Sequence, residues 1–438
     1  MNMKISALAF VMAAALPVFV VDQAKAAGFE KNVFWGAREA GVAGIGAPST
    51  TGSKALYFNP AGLVQDEPSH QFSFDISPTW SQFKGPVNYQ NEEATSTTSL
   101  TTPLGLMYGG AVDSQLGWGI GFYASGGSRA VYEDVPFPGT AAGKANVKTD
   151  LAITEVAAGI GYRVNESLKI GAAWRGVMAT ADVAIASPNP EQQLTANLIN
   201  LEVNGLKATD FAGFKLGAQY KLSEKTSIGL AYRSEVKLKG DGTYGGKVSH
   251  VGVPAPLPIE KTPATGSLIF PMAVNLGIEH QFEKWRALAE YVWTQYSRVD
   301  EIVFEQKVTF GGSDRDPVPL KTNWKDQHSV KLGAECQALA WPIRFGYVWT
   351  SQVTDAKHAR ATFSPPGMSH TVTFGTGQDF NVSERPLRFD AALEYTFSSG
   401  DSEGAEAGVV ATPDGNPTRK GTFKANAYAI HLGVSYAF

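Results

Sequence analysis

Tyr428-Ala429-Ile430-His431-Leu432-Gly433-Val434-Ser435-Tyr436-Ala437-Phe438 ends the chain, and its parity decides the fold. Tyr428, Ile430, Leu432, Val434, Tyr436 and Phe438 fall on one side of a period of two, and Ala429, His431, Gly433, Ser435 and Ala437 on the other. Successive side chains of a strand point to opposite faces, so this is a strand with one greasy and one small or polar face. The same pattern recurs upstream. Leu116, Trp118, Ile120 and Phe122 alternate with Gly117, Gly119 and Gly121, while Ile228, Leu230 and Tyr232 alternate with Gly229, Ala231 and Arg233. Ile343, Phe345, Tyr347 and Trp349 form another such row, as do Leu387, Phe389, Ala391, Leu393, Tyr395 and Phe397.

Short turns join these strands in pairs: Asp113-Ser114-Gln115, Asn165-Glu166-Ser167, Ser223-Glu224-Lys225, Phe282-Glu283-Lys284 and Leu339-Ala340-Trp341, with a looser one over Asp379 to Arg385. Between pairs lie long connections near 81–102, 126–149, 178–211, 239–265, 298–323, 351–368 and 398–421. Short turns on one side and long loops on the other are the signature of an outer-membrane barrel with an even number of strands. The pattern predicts an all-β fold, a transmembrane antiparallel β-barrel of 14 strands. A soluble sandwich would bury its apolar face in one core and leave Glu290, Glu335, Asp390 and Glu394 ambiguous. The 24 Phe, 9 Trp and 15 Tyr argue for the barrel, because Tyr220, Trp285, Tyr296 and Tyr436 fall at strand ends where interfacial girdles form.

Composition agrees. The chain has 438 residues, 18% of them charged, and a mean hydropathy of -0.12. A bundle of membrane helices needs roughly 20 consecutive apolar residues per span and cannot average so polar. A net charge of -4 disfavours nucleic acid as a partner, and one cysteine, Cys336, permits neither an internal disulfide nor a cysteine metal cluster. No cofactor and no metal are expected.

Lys4, an uncharged run from Ile5 to Val21, and then Ala24-Lys25-Ala26 describe a secretory signal over residues 1–26, cleaved after about Ala26. Residues 27–66 break the alternation: Gly41-Val42-Ala43-Gly44-Ile45-Gly46-Ala47 and Phe58-Asn59-Pro60-Ala61-Gly62-Leu63 hold no sustained period. Phe29, Phe34, Trp35, Leu56, Tyr57 and Phe58 give the stretch more apolar surface than a disordered tail carries, so it is read as a plug ahead of a barrel over 67–438.

Those residues carry a resemblance. Ala27-Gly28-Phe29, the Gly/Ala stretch and Asn59-Pro60-Ala61 look like the N-terminal hatch of the FadL/TodX family of outer-membrane transporters for long-chain fatty acids and aromatic hydrocarbons. Further similar motifs follow in order: Trp118 to Tyr123 with Gly126-Gly127, Arg233 to Lys237, Trp293-Thr294 with Tyr296-Ser297, Trp324-Lys325-Asp326, Leu332 to Glu335, and Tyr436-Ala437-Phe438. The resemblance implies a 14-stranded barrel closed by a hatch, passive capture of a hydrophobic substrate in a groove of the third and fourth outer loops, and lateral release into lipid through a kinked third strand. It puts the hatch at Phe29, Asn59, Pro60 and Ala61 and the kink at Ala124, Ser125, Gly126 and Gly127. It also implies insertion by the barrel-assembly machinery through Phe438, contact with lipopolysaccharide and other outer-membrane lipid, and a monomer.

Elementary chemistry makes each step plausible. A groove that buries apolar surface gains about 25 cal/mol per Å², enough to take an oily molecule from water without an energy source. Gly126 and Gly127 allow a break in ladder pairing. Leu194, Leu198 and Leu201 recur at helical spacing, and Val253, Leu257 and Ile259 lie in an unusually apolar loop; together they form the candidate groove. Arg175, Lys331 and Arg344 are candidate lumen cations, although Glu290, Glu335 and Asp390 offer themselves as partners. Fatty acid and neutral hydrocarbon both remain open as substrates. An enzyme is disfavoured: no nucleophile-elbow or zincin motif occurs, and His431 and Ser435, about 13 Å apart along a strand, cannot act as base and nucleophile.

Overall fold

The computed structural model describes residues 28–29, 36–65, 69–188, 198–250, 252–305, 308–310, 313–315, 320–362, 365–382, 384–404 and 419–438. The expected signal peptide, Phe34, Trp35 and Leu194 lie outside these residues. Fourteen staves close into an antiparallel barrel, as the alternation predicts. Stave β1 is His70–Ile76 continued by Thr79–Pro86, followed by β2 (Leu104–Ala111), β3 (Leu116–Pro136), β4 (Lys144–Arg163), β5 (Leu168–Pro188) and β6 (Leu198–Ser223). Then come β7 (Thr226–Arg233 and Val236–Ser249), β8 (Leu257–Phe270 and Ala273–Gln281) and β9 (Trp285–Thr294). Staves β10 (Gln327–Cys336), β11 (Ile343–Thr350), β12 (Met368–Val382), β13 (Arg385–Ser402) and β14 (Gly421–Ala437) complete the wall. The last stave returns to the first, from Gln71↔Ala437 to Ile76↔Leu432 and on through Thr79↔Ala429. The ring of paired staves is thereby closed, which is the condition for crossing a bilayer with strands.

The outward row of the closing strand is exposed or half-exposed, while Ala429, His431, Gly433 and Ser435 are buried. Glu290, Glu335, Asp390 and Glu394 all turn inward. Tyr220 and Trp285 stand on the outer surface, but Tyr296 is fully buried and belongs to the interior instead of a girdle. It packs its ring on Phe29 and Trp324.

Several segments read as loops are strand. Staves β3 to β6 run for 21, 20, 21 and 26 residues, about twice the 9–11 that a barrel strand needs to cross. Above the lipid the outward face meets water and carries charge: Arg129 pairs with Asp150 at 2.6 Å and Lys148 with Asp182 at 3.2 Å. The greasy half of the alternation disappears there although the ladder continues. The Asp182 carboxyl is held below its ordinary range by the Gly205 backbone N–H and by Lys148. Leu198 and Leu201 consequently sit on β6 and not on a helical turn. The looser turn over Asp379 to Arg385 is also a tight hairpin, paired out to Val382↔Arg385.

Residues 36–65 pack against inward-facing residues around the wall. The segment holds two short helices, α1 (Ala37–Ala40) and α2 (Ala55–Phe58), and a 3-10 turn, Pro60–Leu63. Ala37 N donates to Asp75 in β1, Gly46 N and Ala47 N to Glu290 in β9, and Ala43 N to Thr373 in β12. Val42, Ala43 and Ile45 are buried with Leu288, Val348 and Ala392 of three different staves. Wall glycines make room for it: a Cβ at Gly171 would lie 2.3 Å from the Pro60 carbonyl carbon, and one at Gly229 would lie 2.0 Å from the Ala47 oxygen.

Candidate functional site

Asn59 is completely buried and ties the N-terminal segment to itself and to the wall. Its side-chain oxygen accepts from Ala61 N, capping the 3-10 turn, and its amide lies 2.8 Å from Ala47 O, 3.0 Å from Ala218 O and 3.3 Å from Leu230 O. Pro60 at the first position of the turn has no N–H to leave unsatisfied and brings a preset φ. Gly217, on β6, leaves the space that the Asn59 side chain occupies.

An apolar cavity of about 550 Å³, counting its mouth, lies against the wall. Its lining includes Leu151, Ala179, Ala181, Leu206 and Leu238, together with Phe29. Small residues on β5 and Gly240 and Gly266 on β7 and β8 hollow it out, and no charged side chain lines it among the described residues. Phe29 is 1% exposed and also packs on Trp324 at 4.9 Å.

Phe29 connects that cavity to the break in the third stave. The β2–β3 ladder ends at Gly105↔Tyr123, and the β3–β4 register slips between Ala124 and Gly126. Gly127 then adopts φ 151°, a value that side chains with a Cβ rarely reach. Its N–H donates to Phe29 O at 2.8 Å, so a residue of the N-terminal segment occupies the place where β3 leaves its neighbour. The expected kink residues Ala124, Ser125, Gly126 and Gly127 thus coincide with a bulge, and Phe29 is brought to it.

A second, half-polar cavity of about 930 Å³ lies against residues 36–65, lined by Tyr57, Ser125, Glu155, Lys215, Arg233 and Lys331 among others. Glu155 is the hub of a buried network here. Arg175 grips it through two parallel bonds of 2.8 and 2.6 Å and donates a third to Ser234 O; Tyr123 adds a hydroxyl at 3.0 Å. Lys215 reaches Tyr123 and the Tyr57 carbonyl and sits 4.7 Å from the Tyr57 ring centroid. The other candidate cations are engaged as well: Lys331 with Glu290 at 3.3 Å and Gly44 O, and Arg344 with Asp390 at 2.8 Å and Glu335 at 3.4 Å. Lys215 escaped the reading of the sequence, although its inward parity on β6 and a position two residues before Gly217 were available signals.

The candidate groove residues divide. Leu198 is buried with Tyr132 and Phe137, and Leu201 and Ile259 pack on Val203 and Tyr244. Val253 and Leu257 are 42% and 49% exposed. His431 contacts not Ser435 but Ser77 at 2.8 Å and Glu394 at 3.0 Å. This serine–histidine–carboxylate line is sealed, with Ser77 and His431 at 0% exposure, and it reaches neither cavity.

Residues 17–438 match the profile described as "Outer membrane protein transport protein (OMPP1/FadL/TodX)". A long-chain fatty acid transport protein of Salmonella typhi is 24% identical over 64% of this chain and 71% of its own length. One of Escherichia coli O6:H1 is 29% identical, but the match covers 32% of this chain and only 34% of that protein. Among solved structures, a Pseudomonas aeruginosa FadL homologue superposes with TM-score 0.73 at 16% identity, covering 94% of this chain and 99% of the other. The Pseudomonas putida toluene transporter TodX gives 0.68 at 18% identity, over 93% and 99%. These structures share the barrel fold.

Proposed function

This chain belongs to the OMPP1/FadL/TodX family of outer-membrane transport proteins, and we propose that it takes up long-chain fatty acids or related hydrophobic compounds passively, with release sideways into the membrane. The family consists of transport channels and not of enzymes, and it resides in the outer membrane. The observation that carries the fuller proposal is the position of Phe29, which lines the apolar cavity and whose carbonyl accepts a hydrogen bond from Gly127 N–H at the bulge. Residues 27–66 then act as a hatch: movement of Phe29 joins the cavity to the unpaired flank of β3. Residues 1–26 direct export and are then removed, and Phe438 serves assembly of a monomeric barrel.

Capture falls to the outer loops, where Val253 and Leu257 offer exposed apolar surface above Leu198, Leu201 and Ile259. Removal of such surface from water supplies the driving force, and because the protein contributes no energy source, transport runs down the gradient. A second reading, uptake of aromatic hydrocarbons as in the protein titled a toluene transporter, is favoured by the uncharged lining of the cavity.

The test is uptake by cells. Deleting the gene is expected to slow entry of a labelled long-chain fatty acid or of toluene at low external concentration. Gly127→Val, which strains φ 151° and drives a Cβ to 2.6 Å from Leu151 O, is expected to lower uptake severalfold while the barrel still folds. Unchanged uptake of both substrate classes in the deletion strain would remove the proposal.

A further inference from the structure

Two buried hydroxyls, one in the wall of the apolar cavity and one packed beside its lining residues Val183 and Leu206, have no partner. Thr149 lines the cavity, is 1% exposed, and its Oγ1 meets no donor or acceptor. Tyr244 Oη is likewise buried and unpartnered, in a cluster with Val183, Val203, Leu206 and Ala264. They lie in one inward-facing row: Thr149 is opposite Val183, Val183 opposite Val203, and Val203 opposite Tyr244. Four neighbouring staves about 4.8 Å apart therefore hold two valines between two hydroxyls, spanning roughly 14 Å around the wall. The row stands level with the charged outward collar of Lys148, Asp150 and Asp182. Burial pushes the Tyr244 hydroxyl up to about 12, so it keeps its proton in ordinary buffers.

Buried hydroxyls are normally satisfied, and an unsatisfied one in an apolar wall marks a place for a group that is absent. We infer that the cavity selects uncharged hydrophobes carrying a hydrogen-bonding oxygen, such as a long-chain alcohol, ketone or ester, with Thr149 reading that oxygen at the cavity wall and Tyr244, beside the lining residues Val183 and Leu206, offering a second position for it. An alkane fills the volume but leaves both hydroxyls unmet. A carboxylate brings a charge to a lining that holds no cation among its described residues, and its desolvation goes uncompensated. The inference rests on the proposal that this cavity lies on the transport path, and it narrows the substrate class.

The experiment compares decane, decanol and decanoate, radiolabelled and at about pH 8, in equilibrium binding to the full barrel in lipid nanodiscs, with empty nanodiscs subtracted. Decanol is expected to bind about tenfold tighter than decane or decanoate, a difference of about 1.4 kcal/mol. Thr149→Val keeps the side-chain shape and is expected to erase most of the preference for decanol over decane, with decane binding unchanged. Tyr244→Phe added to it should erase the remainder. Decanoate binding as tightly as decanol overturns the inference, as does a preference that survives in the double variant, since the hydroxyls then hold only trapped water. Failure of all three to bind overturns it too. The transport proposal fails separately, in cells, if uptake of the three equals that of the deletion strain.

Discussion

Replacing Arg175 by methionine is expected to destabilise the barrel by about 3–5 kcal/mol, the cost of leaving a buried carboxylate without its counter-charge. Arg175 and Glu155 are both 0% exposed, and two charge-assisted bonds of 2.8 and 2.6 Å join them. In the variant, Glu155 keeps only the Tyr123 hydroxyl at hydrogen-bond distance among the contacts described above. Coupling Arg175→Met with Glu155→Gln should recover most of the loss, because a neutral amide has far less to lose in a dry environment. Urea unfolding in lipid vesicles, followed by tryptophan fluorescence, measures both variants. A loss below about 1 kcal/mol in the single variant would mean that water reaches the pair and screens it, and that the network below the bulge is not a dry floor. The double variant should also retain uptake of fatty acid, since the guanidinium is already committed to a carboxylate of the protein itself.

The staves within the bilayer were legible because lipid enforces one rule on every outward residue. Leu116 to Phe122 and Leu387 to Phe397 obey it, and their registers follow. Above the lipid the rule lapses: Arg129, Lys148, Asp150 and Asp182 point outward on continuous ladder, and charge in the sequence looked like loop. The hairpin at Val382↔Arg385 was obscured for a related reason, since a polar run and a proline, Pro386, sit at its end. Asn59 and Gly127 were singled out by the family resemblance, and the structure places Asn59 between the N-terminal segment and the wall and Gly127 at a bulge. The network of Tyr123, Glu155, Arg175 and Lys215 was not legible, because its members come from four consecutive staves and only the register of their pairing brings them together. Thr149 was equally hidden: a threonine on a strand says nothing about whether its hydroxyl finds a partner, and that depends on residues one row and several staves away. Parity therefore gives the face of a residue, while its partner depends on the register between strands far apart in sequence.

Gly217→Val supplies the most severe test of the N-terminal segment as a stopper. A Cβ at Gly217 would lie 1.9 Å from Asn59 Oδ1 and 2.8 Å from Pro60 Cδ. Asn59 cannot swing aside without giving up its bonds to Ala47 O, Ala218 O and Ala61 N, worth about 0.5–1.5 kcal/mol each, as well as its capping role. The wall cannot yield either, because Gly217 is laddered to Gly171 on one side and Ala231 on the other. The segment must therefore leave its seat, whereas the valine itself suits a strand. The expected result is a folded, heat-modifiable barrel whose ion conductance in planar bilayers rises from near background to the order of an open porin. Gly229→Val attacks the same seat independently, through a Cβ 2.0 Å from Ala47 O. If both variants fold and both stay closed, residues 36–65 do not seal the bore, and the barrel must be shut by its outer loops instead.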